Sequence, residues 1–567
     1  MVTENAAQIP RIVDLDGHRQ LHVGGKPFLI LGGELQNSSF TSAEYMRPVW
    51  QRLIDSHMNT VLGCVTWELI EPVEGEFEFR ELDLIIQDAR EHGLHLILLW
   101  FGAFKNGKST YVPRWIKLDS DRFPRAKIFD GSTTKTTEVL SLFSPEACIS
   151  DARAFEKLMS HIKEIDEAHS TIIMVQVENE VGLLGDSRDR SEAADKAFAQ
   201  PVPRELIDYL KTNWASLHPD LRSNLAGAEP ALFARTTGSE RGWSQLFGQS
   251  ASTEEIFMSY HYALYVNKVA ALGRTAYPLP LFTNVWQNYA EGGSSSVSTV
   301  AAGGGSPGDY PSGGGTSNVL DIWHRFAPNL DFIAPDIYLN DYHKTCEKYR
   351  HSGQPLFIPE QRRDGVGARS SWIAIGSFAA MGISPFGIDT LEAQDNEYAK
   401  HYALMASTSA LILEAQLRPA SSVGFYFPPP QPAGGRDTYQ PLVKQWDDYE
   451  FTIERAFVFG HPGPAAGMVI HQGGPNLLLL GWGFQVRARS LAIASTFTGI
   501  VRFEEKEVVD KVTGVLRTLR SLNGDETRSG QFAIMPNKDP DYGGFPIAVT
   551  IPARTGIAEV EFYSLVS

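Results

Sequence analysis

The chain has 567 residues, of which 43 % are hydrophobic, and its formal net charge is −17. This length and composition can bury a large core and predict more than one domain. The acidic balance argues against nucleic acid and anionic membrane surfaces as partners, because phosphate recognition needs clustered lysine and arginine. The three cysteines provide no disulfide framework.

The N-terminal segment shows no targeting signal. "MVTENAAQIPRIVDLDG" lacks a basic start followed by an apolar stretch. No apolar run in the sequence approaches the ~20 residues that are needed to cross a bilayer. We therefore expect a cytoplasmic protein, and a secreted or periplasmic location stays open if a signal segment has been removed. The sequence leaves a homo-oligomer open as well.

Short apolar runs alternate with segments of helical periodicity over the first part of the chain. Most of these runs are apolar throughout, as expected of strands that are covered on both faces. Eight runs are present, at 28–35, 60–67, 95–102, 172–179, 281–286, 332–338, 356–360 and 383–389. Eight strands, each followed by a helix, predict an α/β fold of the (β/α)8 TIM-barrel type.

Two long insertions follow the fourth and fifth predicted strands, at 181–253 and 291–317. The second insertion is rich in glycine and serine, and two interpretations stay open: a flexible surface loop and a mobile lid over the pocket. After the last helical segment, short β-rich runs are separated by Gly, Pro and Asn turns. We predict a catalytic barrel at 1–415 and an antiparallel β-sandwich accessory domain at 416–567.

Two of the eight predicted strands end in glutamate. The fourth ends in "VQVENE", which contains Glu178, Asn179 and Glu180, and the seventh ends in Glu360. In a barrel the C-terminal ends of the strands line the pocket, so acids on strands 4 and 7 can converge. Glycosidic bond cleavage needs such a pair, one acid to protonate the leaving oxygen and one to attack the anomeric carbon or activate water. An ion pair between Glu360 and one of the two arginines that follow it is the structural alternative.

Strand geometry does not choose between Glu178 and Glu180, because both point to the same side of an ideal strand. The segment "IIMVQVENEVG" resembles the acid/base segment of glycoside hydrolase family 35, a β-galactosidase family among the retaining barrel glycosidases. The resemblance implies that Glu180 is the acid/base, that Glu360 is the nucleophile and that Asn179 holds the sugar 2-hydroxyl. It leaves Glu178 as a deeper polar residue that is hydrogen-bonded inside the barrel.

The resemblance extends over the first three βα units and includes a W-x-x-x-E-P-x-x-G-x-F run that begins at Trp67. There are also departures from the family. Gln36-Asn37 stands where members usually carry His-Tyr, and Lys105-Asn106 stands where an acid helps to hold galactose hydroxyls. The reaction type therefore carries over better than the identity of the sugar. Lys105 and Asn106 are expected either to take over those hydroxyl contacts or to be solvated.

Together with the resemblance, the residues predict a retaining exo-β-glycosidase for terminal β-linked galactose, with its two carboxyl groups ~5–5.5 Å apart. The same chemistry on glucose, mannose or fucose, and a carbohydrate-binding protein without catalysis, are the alternatives. A carbohydrate is the expected partner, and no metal or organic cofactor is expected. Tyr338 is the residue expected to hydrogen-bond the nucleophile, and Trp286 is expected to border the sugar. The expected substrate-binding residues are Asn179, Tyr338, Trp286, Glu34, Asn37, Trp67, Lys105 and Asn106.

Overall fold

The structure is a computed structural model, and it describes residues 8–228, 232, 241–289, 304–418, 420–430, 439–456, 463–537 and 553–566. The strands of its first part are β1 (Arg11–Leu15), β2 (His18–Val23), β3 (Lys26–Pro27), β4 (Ile30–Glu34), β5 (Thr60–Thr66), β6 (His95–Lys105), β7 (Arg125–Phe129), β8 (Thr134–Leu140), β9 (Ile172–Asn179), β10 (Leu281–Val285), β11 (Phe332–Pro335), β12 (Ile358–Gln361) and β13 (Gly382–Pro385). Within the described residues, β1–β3 form a small antiparallel sheet, and β7 and β8 form a hairpin outside the barrel.

The remaining eight strands of this part form a parallel barrel within the described ranges, which confirms the predicted fold class. Their order is β11-β10-β9-β6-β5-β4-β13-β12. The ring closes between β11 and β12, where the N–H of Ile337 donates to the carbonyl of Glu360 at 2.9 Å. Closure brings the ends of β9, β11 and β12 to one mouth, and this mouth is where barrel enzymes place their sites.

Side chains of the barrel strands alternate between two apolar environments. Ile97, Leu99 and Phe101 of β6 belong to the core inside the barrel, whereas Leu96 and Leu98 belong to the core between the strands and the helices. Because successive side chains point to opposite faces and both faces are covered, the strands appear in the sequence as unbroken apolar runs.

The helices surround the barrel, and some of them, such as the helix 251–276, are buried on more than one face. In chain order they are α1 (Ala43–Asp55), α2 (Trp67–Ile70), α3 (Arg80–Glu91), α4 (Arg114–Leu118), α5 (Pro145–Asp166), α6 (Glu192–Phe198), α7 (Arg204–Asn213), α8 (Pro219–Leu225), α9 (Trp243–Phe247), α10 (Ala251–Ala276), α11 (Leu320–Phe326), α12 (Tyr342–Tyr349), α13 (Gly365–Phe378), α14 (Glu397–Ser407) and α15 (Ser409–Gln416). The start of α5 is encoded locally, since Ser144 caps the N–H of Ala147 and Pro145 occupies the first turn. No helix within the described ranges is long and apolar enough to span a bilayer.

The glycine-rich insertion is packed where the structure describes it. From residue 310 to 317 its side chains are buried, and Ser312 exchanges backbone hydrogen bonds of 2.9 and 3.0 Å with Leu183. A Cβ atom on Gly314 would lie 2.3 Å from the carbonyl oxygen of Val181, so glycine allows this close approach. Residues 310–317 therefore support the loop that follows Glu180, and the choice between a flexible loop and a lid for the insertion stays a prediction. The other half of the insertion, 290–303, lies outside the described residues.

The C-terminal part is an antiparallel β-sandwich, as predicted. Its strands are β14 (Ser422–Phe427), β15 (Leu442–Trp446), β16 (Tyr449–Arg455), β17 (Ala465–His471), β18 (Asn476–Trp482), β19 (Phe484–Ser490), β20 (Ser495–Asp510), β21 (Val515–Ser521), β22 (Ala533–Met535) and β23 (Ile557–Val566). In the described residues they form a sheet of order β14-β17-β18-β23-β20-β21 and a sheet of order β15-β16-β19-β22. Side chains of both sheets share one apolar core.

Two details of this part differ from the sequence interpretation or remain outside it. β14 lies in the proline-rich stretch that was interpreted only as the break after the helices, and it pairs with β17. The strand is short, three of its residues in a row are buried, and the prolines that follow it obscured the pattern. The expected strand at 545–552 lies outside the described residues. The division at 415 and 416 stays a prediction.

Candidate active site

Glu180 and Glu360 meet at the C-terminal mouth of the barrel. Glu180 directly follows β9, Glu360 lies in β12, and each residue is 8 % exposed. One carboxylate oxygen of each, together with one of Asp336, lies within 4.8 Å of the other two. The structure thus brings together the two acids singled out in the sequence and adds a third.

A cavity of ≈ 630 Å³ opens at this mouth. Its volume is in the ordinary range of small-molecule pockets, ~300–1,000 Å³. Trp286, Tyr338 and Phe386 give it an aromatic wall beside the acids, which suits the apolar faces of a sugar ring. The lining residues are Glu180, Trp286, Gln287, Asp336, Tyr338, Leu339, Asn340, Glu360, Arg362, Arg363, Asp364 and Phe386.

Glu180 is held by its backbone in an uncommon conformation. Its φ is +44°, a region that non-glycine residues enter at a cost. Its N–H donates to Oδ1 of Asn284 at 2.9 Å, which stabilises this turn of the chain. Burial and the neighbouring Glu360 carboxylate raise the pKa of Glu180 to about 7, although Lys105 opposes the shift. Glu180 can therefore carry a proton near neutral pH.

The two carboxylate oxygens of Glu360 differ in their hydrogen bonding. The hydroxyl of Tyr338 donates to Oε1, and Oε2 is buried without a hydrogen-bond partner among the described residues. The alternative ion pair with the following arginines is not what the structure shows. Arg362 pairs with Asp364 at 2.5 Å, and Arg363 donates to the carbonyl of Gly387 at 2.7 Å.

Asp336 is a site residue that the sequence reasoning missed. It directly follows β11, is 4 % exposed, and accepts a hydrogen bond from Nδ2 of Asn284 at 2.8 Å. Burial and then the Glu360 and Glu180 carboxylates raise the pKa of Asp336 well above its usual range, which favours its neutral form. The only sequence signal was an acid inside the apolar segment "FIAPDIY", at the end of a predicted strand.

Asn179 and Lys105 form a polar pair beside the acids. Nζ of Lys105 donates to Oδ1 of Asn179 at 2.8 Å, while Nδ2 of Asn179 is buried without a partner in the described part of the chain. Burial alone would lower the pKa of Lys105, but the carboxylates of Glu180 and Glu360 outweigh it and raise that pKa. Glu34, at the end of β4, also faces this group, and burial followed by Glu360 raises the pKa of Glu34 well above its usual range.

Glu178 is more buried than Glu180, but it faces Asp151 of α5 in the layer between the strands and the helices, and not the barrel interior where the sequence interpretation placed it. Its carboxylate accepts the N–H groups of Ala103 at 3.1 Å and Phe104 at 2.8 Å. Burial, and then the neighbouring Asp151, raise the pKa of Glu178 well above its usual range. These contacts occupy its oxygens with the barrel itself, which leaves Glu180 as the acid that lines the cavity.

Of the eight residues expected to bind substrate, Trp286 and Tyr338 line the cavity, Asn179, Lys105 and Glu34 lie buried behind its lining, and the other three lie elsewhere. Trp67 is fully buried in the helix-packing core, and its Nε1 donates to Glu71 at 2.8 Å, so it cannot touch a sugar in this structure. The W-x-x-x-E-P run that begins at Trp67 therefore marks a core contact between tryptophan and glutamate. Asn37 and Asn106 are partly buried and do not line the cavity. Asn106 reaches the site through its N–H, which donates to the carbonyl of Asn179 at 3.3 Å.

In the described ranges, the group of Glu180, Asp336 and Glu360 is also the one arrangement of acids whose spacing could hold a metal ion. The same oxygens can serve acid–base chemistry without an ion, because Lys105 supplies a buried positive charge and the raised pKa values favour protonated carboxyls.

Comparison with known families gives two partial matches. Residues 42–219 match the model of glycoside hydrolase family 42, described as beta-galactosidase, and residues 398–534 match a domain of unknown function, DUF5597. The first match includes Asn179 and Glu180 and ends before Glu360. Within residues 42–219 the barrel is therefore similar to a glycoside hydrolase family, and this match covers less than half of the chain. Family 42 is a different family from family 35, so the resemblance to family 35 is not confirmed.

Among solved structures, the chain is similar to a β-galactosidase from Bacillus circulans sp. alkalophilus, with 15 % identity and a TM-score of 0.45 over 68 % of this chain and 57 % of that one. A β-galactosidase from Rahnella sp. R3 matches with 16 % identity and a TM-score of 0.42 over 70 % and 58 % of the two chains. The catalytic domain of a β-amylase from Paenibacillus polymyxa matches with 10 % identity and a TM-score of 0.44 over 65 % and 96 %. The chain thus spans less than three fifths of the two β-galactosidases. A search of curated proteins found no match.

Proposed function

We propose that the protein is a retaining exo-β-glycosidase that releases terminal β-linked galactose from oligosaccharides or glycosides. The observation that carries the proposal is the convergence of Glu180 and Glu360 on one cavity, with carboxylate oxygens within 4.8 Å. Retaining enzymes keep their two carboxyl groups ~5–5.5 Å apart, whereas inverting enzymes need ~6.5–9.5 Å to admit a water between them. Oxygens this close permit direct attack by Glu360, which is the arrangement that double displacement needs, and the anomer of the first product tests the choice between the two mechanisms.

In the first step Glu180 protonates the glycosidic oxygen while Glu360 attacks the anomeric carbon. The pKa of about 7 for Glu180 keeps its proton available near neutral pH. The free oxygen of Glu360 is the attacking atom, because the other oxygen accepts from Tyr338. The products of this step are the departed alcohol and a covalent glycosyl-enzyme ester.

In the second step Glu180, now ionised, takes a proton from water, and that water displaces Glu360 from the anomeric carbon. Two inversions give net retention. The free Nδ2 of Asn179 can donate to the sugar 2-hydroxyl during both steps, in the role that the sequence resemblance implies. Galactose is proposed as the sugar because the family model matched at 42–219 is described as beta-galactosidase.

The test is a panel of aryl β-glycosides followed by proton NMR in the first minutes of turnover. We expect the galactoside to be the best substrate and β-galactose to be the first product. Initial release of the α-anomer would contradict the retaining mechanism, and turnover of the glucoside, mannoside or fucoside without the galactoside would contradict the sugar assignment.

A glutamine variant of Glu360 separates an enzyme from a carbohydrate-binding protein. Glu360→Gln keeps the size of the side chain but removes the nucleophile, so we expect turnover to be lost while galactose binding, measured by calorimetry, is retained. Arg362→Gln is a matched control at the cavity rim, because its partner is Asp364. Sugar binding by a wild-type protein that never turns over any glycoside would support the binding-protein alternative.

A further inference from the structure

A buried ammonium lies beside the proposed catalytic acids. Lys105 ends β6, is 6 % exposed, and carries its Nζ 4.6 Å above the centre of the Phe101 ring. β6 and β9 come back into register at Lys105 and Asn179 after an irregularity that begins at Trp100. A buried charge is costly unless its partners are specific, so the contacts of this side chain need an explanation.

The main polar contact of Lys105 is with the amide of Asn179. Oδ1 of that amide accepts from Nζ at 2.8 Å, and Nδ2 is buried without a partner among the described residues. An ammonium can donate but cannot accept a hydrogen bond. Rotating the amide by half a turn would place its NH₂ group against the ammonium, so Oδ1 must face Lys105 and Nδ2 must face away from it.

We propose that Lys105 is a positioning residue that locks the Asn179 amide, so that the amide offers the sugar a hydrogen-bond donor and never an acceptor. The proposal rests on the proposed function, since the hydroxyl that would pair with Nδ2 belongs to the proposed substrate, and Asn179 is the chain neighbour of Glu180, which lines the cavity. It gives the unpartnered Nδ2 a purpose: the atom is paired when a sugar hydroxyl, acting as acceptor, occupies the site. It also makes Lys105 a determinant of which sugar hydroxyl the site reads.

The charge of Lys105 is maintained by acids on the facing elements. Glu34 of β4, Glu180 after β9 and Glu360 of β12 all act on it electrostatically, and together they raise the pKa of Lys105. An alternative role for Lys105 is therefore that of a simple counter-ion. A counter-ion would affect every substrate equally, whereas a residue that orients Asn179 affects only substrates that carry the hydroxyl read by Nδ2.

Lys105→Met distinguishes the two roles. We would measure kcat/KM with an aryl β-galactoside and with its 2-deoxy analogue, each at the pH optimum of the variant in use. Loss of a hydrogen bond supported by a charged group is expected to lower kcat/KM on the parent glycoside about 10- to 100-fold. On the 2-deoxy analogue kcat/KM should change by less than about 2-fold, because this substrate lacks the hydroxyl that the Asn179 amide would bind. Equal losses on both substrates would overturn the proposal.

Lys108→Met is the matched control, since Lys108 is an exposed lysine in the same turn. It is expected to leave both rates unchanged.

A double-mutant cycle gives a second test. In the background of Asn179→Ala, adding Lys105→Met should change kcat/KM on the parent glycoside by less than about 2-fold, because the residue it acts through is gone. Additive losses would contradict the proposed route through Asn179.

A crystal structure of Lys105→Met tests the positioning role independently of turnover. We expect the Asn179 amide to rotate or to populate two orientations, as judged from its hydrogen-bond partners. An amide that keeps its single orientation without Lys105 would overturn the proposal. If the wild type hydrolyses none of the glycosides, the proposed function fails, and this structural comparison still decides whether Lys105 orients Asn179.

Discussion

The hydroxyl of Tyr338 donates a hydrogen bond to Oε1 of Glu360 across the seam where the barrel closes. Tyr338 follows β11 and Glu360 belongs to β12, and the two strands meet through the Ile337 N–H and the Glu360 carbonyl. The contact holds one oxygen of Glu360, while the other oxygen is buried without a hydrogen-bond partner among the described residues. Closure of the barrel therefore orients the proposed nucleophile.

Tyr338→Phe should slow the attack by Glu360. The variant removes a hydrogen bond to a charged group, which is worth ~1.5–3 kcal/mol, so we expect kcat/KM to fall about 10- to 100-fold. Steady-state kinetics with an aryl glycoside would measure it. Tyr342→Phe is a matched control, because that hydroxyl donates to Gln361, the neighbour of Glu360, at 2.6 Å. A Tyr338→Phe enzyme as active as its control would argue against this orienting role.

The proton on Glu180 should set the alkaline limb of the pH profile. Above a pH of about 7 the acid is increasingly ionised, so we expect kcat/KM to decline as the pH rises. The decline should be steep for an alkyl glycoside, whose leaving group needs the proton, and shallow for a dinitrophenyl glycoside. Glu180→Gln should abolish the limb, and a limb that persists in this variant would assign it to another group.

The same raised pKa has a consequence for stability. The folded-state pKa of about 7 lies above the ordinary value of 4.5 for a glutamate, so the native state binds more protons between these values. The free energy of unfolding therefore falls as the pH rises from 4.5 to 7. Compared with the wild type, Glu180→Gln should gain on the order of 1–3 kcal/mol at pH 8 and little at pH 4. Urea unfolding at the two pH values would show the difference.

Asp336→Asn should have little effect on activity if Asp336 is neutral in the native site. An amide there can still accept from Asn284, as the carboxyl does at 2.8 Å, and can donate towards Glu180. We expect kcat/KM within about 3-fold of the wild type and an unchanged alkaline limb, whereas Asp336→Ala should lose about 10-fold or more because Asn284 is released. A limb displaced to lower pH in Asp336→Asn would mean that Asp336 is ionised in the wild type.

Gly314→Ala should disturb the loop that follows Glu180. The added Cβ would lie 2.3 Å from the carbonyl oxygen of Val181. Overpacking of this kind costs ~1–3 kcal/mol of unfolding free energy, and activity should fall with it because Val181 is adjacent to Glu180. Gly305→Ala is the control, since the nearest atom to its Cβ lies at 3.6 Å. Equal stability of the two variants would show that the insertion adapts.

Trp67→Phe should affect stability and leave substrate binding alone. Trp67 is fully buried and donates to Glu71, which is itself buried, so the substitution removes volume and leaves an acceptor unsatisfied. We expect ~1–3 kcal/mol less unfolding free energy and an unchanged KM. A raised KM in a variant of normal stability would restore the substrate-binding role that the sequence predicted for Trp67.

Much of the architecture could be predicted because its signals are local. The apolar runs of β6 and β9 reflect burial on both faces, and each run can be recognised from its own few residues. The position of Glu360 at a strand end also followed from the alternation of strands and helices. β14 was missed because the prolines after it hide a short strand that only its pairing with β17 defines.

The sequence by itself determined the eight-stranded barrel, the antiparallel sandwich, and the prediction that acids on strands 4 and 7 converge. Only the tertiary structure decided that Asp336 joins them, that Trp67 lies in the core, and that the glycine-rich segment supports the loop after Glu180. The physical reason is the distance along the chain over which each property is determined. Periodicity is set by neighbours along the chain, whereas the protonation of a carboxyl and the exposure of a ring depend on groups that only ring closure and helix packing bring within a few ångströms.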